Sequence, residues 1–235
     1  MARAFRLVLL LVVVALVATG VLVTVVTLRA LPQTSGTLHI SALKADVTVS
    51  RDKSGIVNIY ADSPHDLFLA QGYVHAQERM WQMEVWRRIS AGRLSELFGK
   101  ATLDTDRFVR TLDFRGAAER DLKAAAPETR AVLDAYAAGV NAWLDVHRGS
   151  LGLPFVVAGL QSGKGGLGGF DPERWTAVDS MAWQKVQAWD LGGNMGSEIF
   201  RMLADARLGD PARTDELFPP YSAGAPVITA ATPGG

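Results

Sequence analysis

Residues Leu7–Leu28 form an unbroken run of 22 residues without a charge, with Arg3 and Arg6 before it and Arg29 after it. A helix needs roughly 20 apolar residues to cross the hydrocarbon core of a bilayer. The run is apolar on every face, which a helix at the edge of a soluble core is not. A cleavable signal sequence usually has a shorter apolar region, about 7–15 residues, ending in a small-x-small site. Ala30-Leu31-Pro32 is a poor site of that kind. The reading is therefore a retained signal-anchor over residues 7–28, with a cleaved signal as the alternative. The two leading arginines place residues 1–6 in the cytoplasm and export the rest. The domain is then membrane-anchored outside the cytoplasm, periplasmic or extracellular, or secreted if the signal is cleaved.

The remaining chain has enough length for one sizeable core within the 235 residues. Lys plus Arg (24) equals Asp plus Glu (24), so the chain has no overall basic footprint for nucleic acid. There is no cysteine, which excludes disulfides, thiolate nucleophiles and Cys-ligated zinc. Four histidines, at 39, 65, 75 and 147, do not make a two-His metal motif.

Residues 29–36 read as a linker. Thr37–Ile40 is a strand candidate. Val47-Thr48-Val49 and Ile56–Tyr60 flank the turn Asp52-Lys53-Ser54-Gly55 and predict a β-hairpin. Asp62-Ser63-Pro64 is a helix start. Leu67, Ala70, Val74, Trp81, Val85 and Ile89 then follow helical spacing, predicting one long helix or two in series up to Phe98-Gly99. Glu84 lies four residues before Arg88, the spacing of a surface ion pair. Pro127 opens a helix ending at Arg148-Gly149, with Val132, Tyr136, Val140 and Trp143 as its stripe. Residues 149–172 are Gly-rich and read as a surface loop. Gly163-Lys164-Gly165-Gly166 lacks the Ser or Thr that a phosphate-binding loop needs after its Lys. Trp175–Trp189 and Ser197–Leu208 are two further helical regions. Ser197 is the expected N-cap of the second, Ile199, Met202, Leu203 and Ala206 point inward, and Gly209-Asp210-Pro211 is its stop. Residues 222–235 read as a flexible tail.

Several strings recur in a fixed order. Arg51-Asp52-x-x-Gly55 comes first. Gln71-Gly72-Tyr73-Val74-x-Ala76-Gln77-Glu78-Arg79-x-x-Gln82-Met83 and Arg87-Arg88 follow, then Gly92-Arg93-Leu94-x-Glu96-x-x-Gly99. Ala135–Trp143, Arg174-Trp175, Ser197-Glu198-Ile199 and Leu217–Tyr221 complete the series. In this order they resemble the α chain of the penicillin acylase family, N-terminal-nucleophile amidohydrolases that include acyl-homoserine-lactone and cephalosporin acylases. The resemblance covers residues 36 to 228, within a domain read as 37–221.

The resemblance implies an α+β protein. This chain would supply the mainly helical portion of a four-layer αββα sandwich, with a short β-hairpin near its N-terminus. It implies a precursor that cuts itself into an α chain, a spacer and a β chain. A Ser at the start of the β chain is the nucleophile and its α-amine the base. The physics agrees, since a hydroxyl needs a nearby base and a tetrahedral oxyanion needs fixed donors. The implied substrate is a small N-acyl amide such as a penicillin or an acyl-homoserine lactone. No Gly-Ser-Asn cleavage motif occurs here. Gly149-Ser150-Leu151 and Gly196-Ser197-Glu198 have the wrong context, so no catalytic residue is assigned to this chain. The expectation is a piece of a longer precursor whose β chain is the partner. The alternative is a short, non-catalytic, membrane-tethered binding protein of the same descent. The family position of Trp189, with Leu191 second, implies an acyl-pocket role. That of Glu198 implies one carboxylate ligand of a structural Ca²⁺ completed by the β chain, because calcium takes six to eight oxygens.

Overall fold

The computed structural model describes residues 2–163 and 169–218. The 222–235 tail, Pro219–Tyr221 and the Lys164-Gly165-Gly166 stretch lie outside the described residues. Chain contacts divide the protein into two units, Met1–Gln187 and Ala188–Gly235.

In the first unit, α1 (Ala2–Arg29) is a single helix. Its Arg3–Arg29 portion has a mean hydropathy of 3.0 and no buried positions, so it is long and apolar enough to cross a membrane. The hairpin forms as β1 (Thr48–Arg51) and β2 (Val57–Tyr60), antiparallel, with Val49 opposite Ile59. The Asp52 carboxylate accepts from the Ser54 and Ile56 N–H groups at 2.8 Å and fixes the turn. Thr37–Ile40 is not a strand: it has no pairing partner in this two-stranded sheet.

Helix α2 (Pro64–Ala91) is continuous. Ser63 caps it by accepting from the Asp66 N–H, and Gly92, in the left-handed region at φ 60°, ends it. Gly72, an expected weak point, is instead a point of contact with α6 (Pro127–His147). A Cβ on Gly72 would sit 2.1 Å from the Tyr136 carbonyl oxygen, and one on Gly139 would sit 1.9 Å from that of Leu69. Only hydrogens fit where these backbones meet, so both glycines are packing residues. The axis of the core lies accordingly at Leu69, Tyr73, Ala76, Met80 and Met83, facing Val140, Trp143 and Leu144. Of the residues at helical spacing, Ala70 and Val74 are buried, whereas Leu67, Trp81, Val85 and Ile89 lie on the flank and are partly buried.

The Glu84–Arg88 pair is not at the surface. Glu84, Arg87 and Arg88 are all buried. Glu84 accepts from Arg88 Nε at 2.6 Å and also pairs with Arg87. Arg88 continues to Glu96 at 2.7 Å and stacks on Phe170, and Arg87 donates to the carbonyls of Glu173 and Arg174. Buried charges require this kind of pairing, because an isolated one is strongly disfavoured in a low-dielectric interior. The network fastens α2 to the segment before α8 (Ala177–Leu191) and to α3 (Ser95–Phe98).

Helices α4 (Leu103–Leu112) and α5 (Phe114–Ala124) meet at Asp113, whose positive φ of 54° makes the corner and whose carboxylate accepts from the Gly116 N–H. The 149–172 stretch is not a plain loop. Leu153–Ser162 forms α7, buried through Phe155, Ala158 and Gly159. The glycines around it, with Gly152 and Gly163 at its two ends, hide this ten-residue helix from a compositional reading. Asn141 on α6 clamps the Trp175 backbone from both sides, donating to its carbonyl at 2.9 Å and accepting from its N–H at 2.8 Å.

The second unit begins in the last turn of α8. Helix α9 spans Met195–Leu208, and α10 spans Pro211–Leu217. Ser197 is not the N-cap of α9. The Asn194 carbonyl accepts from the Glu198 N–H at 3.0 Å, which starts the helix earlier. Ile199, Met202 and Leu203 are exposed rather than inward. Gly209 does end α9, but Asp210 then caps α10, which was expected to be a stop.

Candidate functional site

A cleft of about 490 Å³ lies in the first unit, between α2, α6 and the start of α8. Phe68, Gln71, His75, Arg79 and Gln82 reach it from α2, and Val132, Leu133 and Tyr136 from α6. The α2 residues fall three or four apart, so one helix face supplies that wall. That spacing was readable in the sequence; the opposing wall was not, because it depends on the Gly72–Gly139 crossing. Across the cleft, Trp175 donates its indole N–H to Ser180 Oγ at 2.9 Å, and Asp179 accepts from the Thr176 N–H and hydroxyl at 2.7 Å.

His75 Nδ1 and the Tyr136 hydroxyl share a 2.9 Å hydrogen bond, and the rings meet edge to face. Burial against the cleft walls lowers the His75 pKa and raises that of Tyr136 to about 12. Both groups are therefore neutral near pH 7. The cleft offers apolar walls with amides and a guanidinium at its rim. That is binding geometry, and no nucleophile–base pair is placed in it.

The serines of the two Gly-Ser dipeptides lie at helix ends. Ser150 Oγ donates to the His147 carbonyl at 2.9 Å, and His147 Nδ1 is engaged by the Trp143 carbonyl at 2.8 Å. Ser197 lies on the exposed first turn of α9.

The positions named for substrate and metal belong to the second unit. Trp189 is 36% and Leu191 76% exposed, both in the last turn of α8. Gly192, Gly193 and Asn194 lead into α9, whose first turn holds Glu198, an exposed acid. No group of three or more His, Cys, Asp or Glu able to hold a metal occurs among the described residues. Glu198 alone does not fit a calcium ion, which requires several oxygens.

A family profile described as Penicillin amidase matches residues 46–233. The chain is 33% identical over 196 residues to an acyl-homoserine lactone acylase, QuiP, of Pseudomonas aeruginosa, covering 80% of this chain and 22% of the relative. It is 39% identical over 178 residues to the penicillin acylase 2 proenzyme of a Pseudomonas species, covering 74% and 21%. Among solved structures it is similar to a thermostable penicillin G acylase from Alcaligenes faecalis. The TM-score is 0.62 with 26% identity, over 80% of this chain and 98% of that chain. The fold and the matched residues define a largely helical chain of the penicillin acylase type. This protein belongs to the Penicillin amidase family. It spans about a fifth of the length of the curated relatives it matches.

Proposed function

We propose that this chain is the α-chain portion of an amide hydrolase that cleaves a small N-acyl amide, the acyl group being released as a carboxylic acid. The observation that carries the reading is its alignment along 98% of one chain of a penicillin G acylase, while it accounts for only 22% of a full-length acylase relative. The rest of the machinery then comes from a β chain of the same precursor, released by self-cleavage. That chain brings an N-terminal Ser as nucleophile, its amine as base, and the donors for the oxyanion. The two chains together build the four-layer αββα sandwich.

Within this reading Trp189 and Leu191 line the acyl side of the pocket. Their exposure on the final turn of α8 leaves apolar surface available to an acyl group or to the β chain. Glu198 contributes one carboxylate oxygen to a calcium ion whose other oxygens lie outside this chain. Helix α1 acts as a signal-anchor and keeps the enzyme on the outer side of the cytoplasmic membrane.

Sequencing the gene past codon 235 tests the proposal. An in-frame Gly-Ser-Asn followed by several hundred codons is the expected result. A stop codon at that point, with clean coverage, overturns the two-chain reading.

A further inference from the structure

Helix α7 (Leu153–Ser162) contains no charged residue. Its inner face is buried through Phe155, Ala158 and Gly159. Its outer face carries Leu153, Val157 and Leu160, at 38%, 44% and 59% exposure, spaced four and three residues apart. These side chains make one apolar stripe. Beside it lies an apolar recess of about 270 Å³, walled by Trp81, Phe98, Leu153, Pro154 and Val157. Isolated exposed apolar residues are ordinary, but a contiguous stripe next to an apolar recess marks a binding surface.

The position of α7 relative to α1 indicates what meets that surface. The two helices are in contact. Ala30 Cβ, one residue past the end of α1, lies 2.9 Å from the place where a side chain on Gly152 would begin. The apolar run Leu7–Leu28 has the length of the hydrocarbon core, so a spanning α1 leaves the lipid at Arg29. A headgroup layer is about 5–8 Å thick on each side. A helix abutting residue 30 therefore starts within that layer. Trp and apolar side chains on one face of a helix are favoured there, with the helix lying along the interface.

We propose that the outer face of α7 and its adjoining recess rest in the headgroup–acyl boundary of the membrane that α1 crosses, so that the domain is seated on the lipid rather than tethered above it. This rests on the reading of α1 as a membrane anchor. The seating fixes which side of the domain faces water.

The absence of cysteine makes a direct test possible. Val157→Cys, Leu160→Cys, Leu16→Cys and Thr129→Cys are each made in the full chain, spin-labelled, and reconstituted into phosphatidylcholine nanodiscs. Far-UV circular dichroism selects folded variants, and Leu160, the more exposed site, serves if Val157→Cys does not fold. Collision with lipid-soluble oxygen is compared with collision with a water-soluble nickel chelate. Thr129, exposed in the first turn of α6, is the water reference. The expected result is oxygen-dominated collision at 16, 157 and 160 and nickel-dominated collision at 129. Nickel accessibility at 157 and 160 equal to that at 129 overturns the seating while a lipid-embedded residue 16 leaves the anchor intact. Protection of 157 and 160 from both reagents also overturns it, since protein then covers the face. A water-exposed label at residue 16 overturns the anchor and the seating together. The same labels in the complete gene product are expected to repeat the pattern.

Discussion

Replacing Glu84 with Ala is the most informative single perturbation of the fold. The carboxylate is fully buried and holds two buried guanidiniums, Arg87 and Arg88. Both guanidiniums are then left in a buried setting with fewer partners. Arg87 keeps only the carbonyls of Glu173 and Arg174 and the face of Trp175; Arg88 keeps Glu96 and Phe170. Removing one partner of a buried ion pair destabilises by about 3–5 kcal/mol. A domain's whole margin is about 5–15 kcal/mol, so Glu84→Ala removes a large part of it. Glu96→Gln is the comparison. Glu96 is 30% exposed, and water replaces most of what the pair loses, so its change is expected near 1 kcal/mol. The assay is urea unfolding of the full chain in detergent micelles, followed by tryptophan fluorescence, with Trp175 over Arg87 as a local reporter. A Glu84→Ala value within about 1 kcal/mol of the parent, or no larger than that of Glu96→Gln, would refute the claim that this network is dry.

Other expectations follow from the same structure. Gly139→Ala forces α2 and α6 apart and destabilises by about 1–3 kcal/mol, whereas Gly196→Ala, with open space at its Cβ, stabilises α9 slightly; equal melting temperatures would contradict the close crossing. Acid weakens the fold. Asp66, held down to about 2 by the Lys44 backbone N–H and then by His65, and Glu96, held at about 2 by Arg93, have folded values below their unfolded ones. Their contribution is complete above about pH 5 and is lost as pH falls through 4 toward 2; an Asp66→Asn variant with an unchanged slope in acid melts would argue against this. His75 has a lowered value, so it adds a smaller loss as pH drops below about 6.5, absent in His75→Gln. N-terminal sequencing of exported protein is expected to begin at the start of α1, and a mature terminus between Ala30 and Gly36 would show a cleaved signal instead.

Much of the architecture was legible because it is local. Ser63-Pro64 starts α2 through a cap, the Asp52 carboxylate makes its turn, and the Leu7–Leu28 run is long and apolar enough for a membrane-crossing helix. What the sequence misplaced depends on distant partners. Glu84 and Arg88 have the spacing of an exposed pair, and only Phe170, Glu173 and Trp175, folded over them, take them out of water. Gly72 looks like a helix defect until Tyr136 is brought against it. The flanking glycines hid α7, and the stretch between Gly99 and Pro127, where α4 and α5 form, carried no predicted element. The family was legible from many weak matches in order. The cleft was missed in the sequence: the three- and four-residue spacing of Phe68, Gln71, His75, Arg79 and Gln82 marks one helix face, but what faces it depends on the fold. Trp189, Leu191 and Glu198 are exposed, and a pocket or metal role for them was suggested by the family resemblance alone.

The central proposal is that this chain is the α-chain portion of an amide hydrolase whose nucleophile lies on a separate β chain. Its direct test is hydrolysis of a chromogenic phenylacetyl or fatty-acyl anilide by three samples: this chain, the separately expressed remainder of its own gene, and the two refolded together. The account predicts turnover only in the combined sample. Turnover by this chain alone that persists in Ser150→Ala and Ser197→Ala variants would contradict it.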